Sequence, residues 1–363
     1  MFLAPKKIDW YIFKKFMGTF FVALILIIGI IIIFDISEKI DDFVEKKAPL
    51  GAIIFDYYLN FIPYFINMYS PMFVFITVIF FTSKMASNSE IVAILSGGVS
   101  FHRMMVPYMI AATIITALSL CLNLFVIPDS NKETFAFEQK YIKEKPKKAN
   151  RNIHYQLSPG EFVYAESFSS WNNTAYKFTI EKIEGSKLIS KISAETAVYD
   201  TLKGTWRLKK YFIRDFNDDL TDNIRSGRQL DTLIPLTVKD FYFSENTVTT
   251  LDYFELNEMI DIQKMRGDAN VKFALIEKHT RFALPFSAFI LTIIGVSLSS
   301  KKRRGGIGWN IALGIALAFT YILFMRFSQM FVHTDALSPA VALWLPNAVY
   351  ALIAIALYRL APK

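Results

Sequence analysis

The chain has 363 residues, 53% of them hydrophobic and 15% aromatic, with 34 Phe and a mean hydropathy of +0.33. That balance argues against a soluble domain, which carries fewer apolar residues and interleaves them with charges. The formal charge of +8 comes without a basic stripe of interleaved aromatics, which argues against a nucleic-acid partner. The single cysteine, Cys121, lies inside an apolar run, so one chain can build neither a disulfide nor a cysteine metal site.

Lys6, Lys7, Lys14 and Lys15 precede the first apolar stretch. They resemble the start of a signal peptide, but the uncharged run over 16–34 is too long and lacks a small-residue cleavage pattern, so a retained helix is expected. A second uncharged stretch covers 57–83, with Pro63 and Pro71 inside it as kinks or a broken entry helix. A third covers 104–127 and is expected to end at Pro128-Asp129. Three more follow the central region, at 282–298, 307–325 and about 340–357. Each is close to the ~20 residues that cross a ~30 Å hydrocarbon core.

Orientation follows from the short connections. One side collects the N-terminal lysines, then Lys84 and Arg103, then Lys301, Lys302, Arg303 and Arg304, and finally Arg359 and Lys363. On the other side Lys39, Lys46 and Lys47 are outnumbered by Asp35, Glu38, Asp41, Asp42 and Glu45. An excess of Lys and Arg marks the cytoplasmic side. Both termini are therefore expected in the cytoplasm, and the large central domain outside it.

Within that domain the period changes to two over 177–183 and over parts of 205–216 and 229–243. Turn signals recur at Ser158-Pro159-Gly160, Glu184-Gly185-Ser186, Lys203-Gly204, Asn217-Asp218-Asp219 and Ser226-Gly227. Short strands at regular spacing predict an all-β sandwich or open barrel, and no long crossover helix is visible. The segment 254–266 reads as a helix broken by Gly267-Asp268. The expected organisation is three spans over 1–128, an extracytoplasmic β domain over 129–268, and three spans over 269–363.

Motifs for intrinsic chemistry are absent. Gly305-Gly306 lacks the Gly-Lys-Ser/Thr ending of a phosphate-binding loop. His102, His154, His279 and His333 are scattered without metal-ligand spacing, and Asp and Glu are missing from the span interiors. No catalytic residue, metal or cofactor is expected. Arg326 sits near the end of the fifth span after a long uncharged run. It is either a functional residue or a side chain snorkelling to the headgroups.

The most informative short segment is 83–103, on the cytoplasmic side between spans two and three. Ser87 and Glu90 have capping-box spacing, opening a helix that Gly97-Gly98 closes, and Ile91, Ile94 and Leu95 fall on one face. Such a helix suits a groove on a soluble partner. It equally suits resting on lipid, with Glu90 only completing its cap.

The run from Asn88 through Ser100 resembles the coupling helix of the lipopolysaccharide export permeases, the LptF/LptG (YjgP/YjgQ) family. Ile8-Asp9-Trp10-Tyr11-Ile12, Phe162-Val163-Tyr164, Trp206-Arg207-Leu208 and Leu343-Trp344-Leu345-Pro346-Asn347 resemble further family segments in the same order. Tyr11 and the Glu90 segment look closer to LptG than to LptF.

The resemblance implies six transmembrane helices, three plus three, around a periplasmic β-jellyroll-like domain, in a cell inner-membrane protein with a coupling helix at 87–97. It implies a non-catalytic permease subunit of an ATP-binding-cassette exporter that extracts lipopolysaccharide and passes it to a periplasmic jellyroll bridge. Its partners would be a cytoplasmic LptB-like ATPase dimer, a second LptF-like permease and an LptC/LptA-like jellyroll protein, with lipopolysaccharide and membrane lipid as ligands. Glu90 would meet the ATPase, and Ile91, Ile94 and Leu95 would pack into its groove. Lys39, Lys46, Lys47 and Arg326 become candidate lipopolysaccharide contacts, although the acids around the three lysines depart from the family pattern. The alternative is a membrane-tethered periplasmic binding or scaffold protein without transport activity.

Overall fold

The computed structural model describes residues 7–142, 150–169, 171–201, 203–217, 221–241, 245–268, 270–301 and 306–361. Lys6, Lys302, Arg303, Arg304 and Lys363 of the basic set, Gly305, and Asp218-Asp219 of one turn lie outside the described residues. The chain divides into two compact units. One comprises Met1–Ile142, Thr249–Tyr253 and Leu275–Lys363, and the other Lys143–Val248 and Phe254–Ala274.

Among the described residues the first unit holds six helices long and apolar enough to cross a membrane. Helix α1 (Lys7–Glu45) continues past the uncharged run, because its polar end still offers helix-compatible pairs such as Asp35 with Lys39. Helix α2 (Leu50–Ser87) opens after Pro49 with a π-turn at Ile53–Tyr58 and then carries Pro63 and Pro71 without a break. The short α3 (Glu90–Ser96) leads into α4 (Phe101–Tyr141), which includes a π-turn at Leu122–Val126. The expected end at Pro128 is corrected here. Pro128 occupies the first turn after the π-turn, where a missing N–H is tolerated, and the helix runs on to Tyr141.

After a helix at Tyr253–Met265 (α5) come α6 (Val271–Ser299), α7 (Gly306–His333) and α8 (Pro339–Leu360). Pro285 inside α6 removes the donor that would pair with the carbonyl of Arg281. Asn123 Nδ2 supplies a replacement at 3.2 Å, Thr116 Oγ1 donates to the Pro285 carbonyl at 3.2 Å, and Asn347 Nδ2 donates to the Ala283 carbonyl at 2.7 Å. Neighbouring helices thus satisfy a proline-disrupted ladder that lipid cannot.

Helix α2 is the shared wall of two apolar cores. Val74 and Val78 pack with Phe16 of α1 and Tyr108 of α4, while Phe75 and Ile79 pack with Leu291 of α6 and Tyr321 of α7. Helices α1 and α7 are far less covered, and α1 leaves Phe21, Ile25, Ile33 and Phe34 exposed.

The second unit is one antiparallel sheet of six strands in chain order. They are β1 (Asn150–Ser158), β2 (Glu161–Ser169), β3 (Thr174–Glu184), β4 (Lys187–Asp200), β5 (Thr205–Phe216) and β6 (Asp222–Thr232). Among the described residues the strands form a single meander rather than two stacked sheets. The alternation expected over 229–243 stops at Thr232, and Ile234, Leu236 and Phe241 fold onto the sheet's apolar face instead. Trp206, fully buried there, donates its indole N–H to the Leu236 carbonyl at 2.8 Å. Ser226-Gly227 is not a turn but lies inside β6. A Cβ at Gly227 would stand 2.8 Å from the Tyr211 ring, so the glycine makes room for a cross-strand aromatic.

The meander is creased along one line. Inward residues run Val163, Ala165 and then Phe168 in β2; Ala175 and then Phe178 in β3; Ala194 and then Ala197 in β4; Leu208 and then Tyr211 in β5. Each strand slips its alternation by one residue, and all slip at the level where Ser167, Tyr176, Thr196 and Lys209 are paired. Asn152, Lys177 and Lys210, with φ of 53°, 47° and 48°, supply left-handed residues beside that line on alternate strands. Lys177 pairs with Glu166 at 2.7 Å and Lys210 with Glu195 at 2.5 Å across it. The slip keeps apolar side chains inward on both halves of a folded sheet.

Candidate functional site

The corner between α2 and α4 is built by two tight reversals. Helix α2 ends at Ser87, and Ser89 takes a left-handed conformation (φ 61°) before α3 begins at Glu90. The predicted capping box is therefore corrected: Ser87 belongs to the preceding helix and does not cap α3. The Glu90 carboxylate instead accepts from Asn88 Nδ2 at 3.1 Å and from the Tyr11 hydroxyl at 2.9 Å. The other end follows the expected glycine stop. Gly98 has φ 82°, its N–H bonds to the Leu95 carbonyl and that of Val99 to the Ile94 carbonyl, closing a Schellman motif.

The apolar face of α3 does not point outward. Ile91 is 1% exposed within the core shared by α1, α2 and α4, and Ile94 and Leu95 are half-buried against the same core. The surface that α3 leaves exposed carries Val92, 54% exposed, with Ala93 and Ser96. The structure therefore sets Ile91 wholly, and Ile94 and Leu95 in part, against the chain's own core. Helical spacing identified the apolar stripe, and the nearest apolar volume is the chain's own, where an Ile side chain gains about 1.5–3 kcal/mol on burial. Glu90 stays partly exposed at the edge of that surface.

The start of α1 belongs to the same corner. Arg103, in the first turn of α4, donates from its two terminal nitrogens to the two Asp9 oxygens at 2.7 and 2.5 Å. Ser100 caps α4 by accepting from the Arg103 backbone N–H at 3.2 Å. Sequence reasoning noted Asp9 and Tyr11 only within a family-like segment. Their partners lie 94 and 79 positions away, beyond any local pattern.

At the other end of α1, Lys39 donates to Asp35 at 2.6 Å and to the Tyr57 hydroxyl, and its ammonium lies 4.9 Å from the Tyr57 ring centre. The Tyr58 hydroxyl donates to the second Asp35 oxygen at 3.0 Å. With 18% of its side chain exposed, Lys39 is engaged inside the chain with the acid four positions before it. Lys46 turns to the Ile142 carbonyl at 3.1 Å rather than to Asp42. Lys47, exposed and left-handed (φ 51°), ends α1.

Arg326 is exposed on α7, with its guanidinium 3.8 Å from the Met68 sulfur. Among the described residues no carboxylate lies within ion-pair distance of it. In the β unit, a groove of about 490 Å³ runs between Arg266 and the strand residues His154, Phe162 and Tyr164, with the Lys191–Glu181 pair (2.7 Å) at its side. Among the described residues no group of His, Cys, Asp or Glu is arranged to hold a metal ion.

Six membrane-length helices interrupted after the third by an antiparallel β unit define a multi-pass membrane protein with an inserted β domain. The family model for the lipopolysaccharide export system permease LptF/LptG matches residues 10–360, and the chain belongs to that family, making it a permease of the inner membrane. The match is to the family as a whole and does not separate LptG from LptF. No curated protein matches the chain.

Proposed function

We propose that this chain is the transmembrane subunit of an ATP-binding-cassette exporter that draws lipopolysaccharide from the inner membrane. The observation that carries the reading is α3, a closed two-turn helix between two spans of a permease-family chain, with Glu90 and Val92 at its outer surface. A separate LptB-like ATPase dimer docks there from the cytoplasm, and this chain itself catalyses nothing. The Lys and Arg bias of the short connections supports that side as cytoplasmic and the β unit as periplasmic.

The sparsely covered helices α1 and α7 face lipid and a second, LptF-like permease. Lipopolysaccharide enters between them, with Arg326 and Lys47 available to its phosphates. The acyl chains leave through the periplasmic β unit toward an LptC/LptA-like jellyroll protein. The test is affinity purification of the chain in mild detergent, native against Glu90→Arg, recording co-eluting proteins and ATPase activity. An ATPase that accompanies the native chain and is lost from the variant is expected. Its absence from the native chain under several gentle conditions would leave a periplasmic scaffold as the better account.

A further inference from the structure

Three contacts join the start of α1 to the corner that holds α3. The Asp9–Arg103 pair is bidentate and mostly shielded, with 10% and 18% of the two side chains exposed. Such a pair fixes both distance and orientation between two helices. Two residues later, the Tyr11 hydroxyl donates to Glu90. Beneath these, Ile12 and Phe16 of α1 are fully buried in the core that also takes in Ile91 of α3 and Met104 and Tyr108 of α4. A polar contact to α3, a two-bond ionic contact to α4 and a common apolar floor leave the first turns of α1 little freedom to slide against α3.

We propose that Asp9, Tyr11 and Arg103 form a clasp through which displacement of α3 is passed directly to α1, in addition to α2 and α4. The three are positioning residues for energy coupling. The inference rests on the reading of α3 as the element an ATPase moves. Helix α1 is the least covered of the six helices, so a rigid link at its base is a short route from the docking corner to a surface facing lipid. Arg103 suits the role because a planar two-bond contact resists rotation, which a lysine ammonium does not.

The experiment uses the assembled complex in proteoliposomes and reads lipopolysaccharide released per ATP hydrolysed. Asp9→Arg and Arg103→Asp are each expected to lower that ratio at least tenfold while ATPase activity persists. The combined Asp9→Arg/Arg103→Asp chain should return to within about threefold of native, since the pair is re-formed with its charges exchanged. Tyr11→Phe, which removes one hydroxyl and leaves the ring, should lower the ratio severalfold without reducing the amount of complex. If the charge variants do not assemble, Tyr11→Phe decides alone: release per ATP equal to native overturns the clasp. Failure of the double variant to recover where the single ones assemble overturns it too. A native complex without ATPase or lipid release would sink the transporter reading instead, so the two failures are told apart.

Discussion

At the start of α1, Asp9 reaches an arginine 94 positions away on another helix, whereas near its far end Asp35 pairs with Lys39 one turn along the same helix. Both acids are shielded, with 10% and 12% of their side chains exposed. The difference lies in what each pair holds. Asp9 holds a rigid two-bond partner, Arg103, and losing its carboxylate strands that guanidinium between packed helices. Asp35 shares its charge among a lysine and two tyrosine hydroxyls from the opening turns of α2. One contact sets the relation of two helices, and the other neutralises a charge with redundancy.

Removing single partners separates the two cases. Asp9→Ala should destabilise the chain by about 3–5 kcal/mol, the cost of leaving one member of a buried ion pair uncompensated. Lys39→Ala should cost about 1 kcal/mol, because the Tyr58 hydroxyl still serves Asp35. Thermal unfolding of the purified chains in one detergent checks both. Equal melting temperatures for the two variants would break the distinction.

Between these extremes lies the Asn123 contact to the Arg281 carbonyl. Asn123→Ala should cost about 1–3 kcal/mol, the desolvation penalty of a buried acceptor left unpaired. With Pro285→Ala in the same chain, residue 285 regains an N–H for that carbonyl, and the cost of losing Asn123 should shrink. A double-mutant cycle on melting temperature measures the coupling. Additive effects would show that Asn123 serves Asn67, which itself accepts from Ser119, and not the proline defect.

How much of this was legible beforehand depends on the range of the signal. The spans were readable because uncharged runs are local and long. Their ends were not, since α1 continues into charged residues that remain good helix formers and Pro128 sits where a proline is harmless. In α3 the spacing of Ile91, Ile94 and Leu95 marked an apolar stripe. Spacing alone cannot say whether such a stripe faces a partner or the chain's own core. The strand-rich character of the central region followed from alternation and turn residues. Its crease did not, because a coordinated one-residue slip looks in each strand like a broken pattern. Asp9 and Tyr11 stood out only within a family-like segment, and Arg103 only as one of the charges that gather at a span end.

The smallest expected effect concerns a long-range contact that is only partly buried. Asp215 accepts from the Ser190 hydroxyl at 2.7 Å and pairs with Arg225 at 2.8 Å, on neighbouring strands of the sheet. The Ser190 hydroxyl, and after it the Arg225 guanidinium, hold the Asp215 carboxyl below the usual carboxylate range. A carboxyl depressed in the folded state adds stability above its unfolded value of about 3.9, and that stability is lost as pH falls through the folded value. Ser190→Ala should therefore melt slightly below the native chain at neutral pH, and the gap should close as pH falls through the folded value and the carboxyl becomes protonated in both. A gap that persists unchanged in acid would mean that Ser190 acts through packing rather than through the charge on Asp215. Reach along the chain would then say little about a contact's worth, and burial would account for the contrast with Asp9.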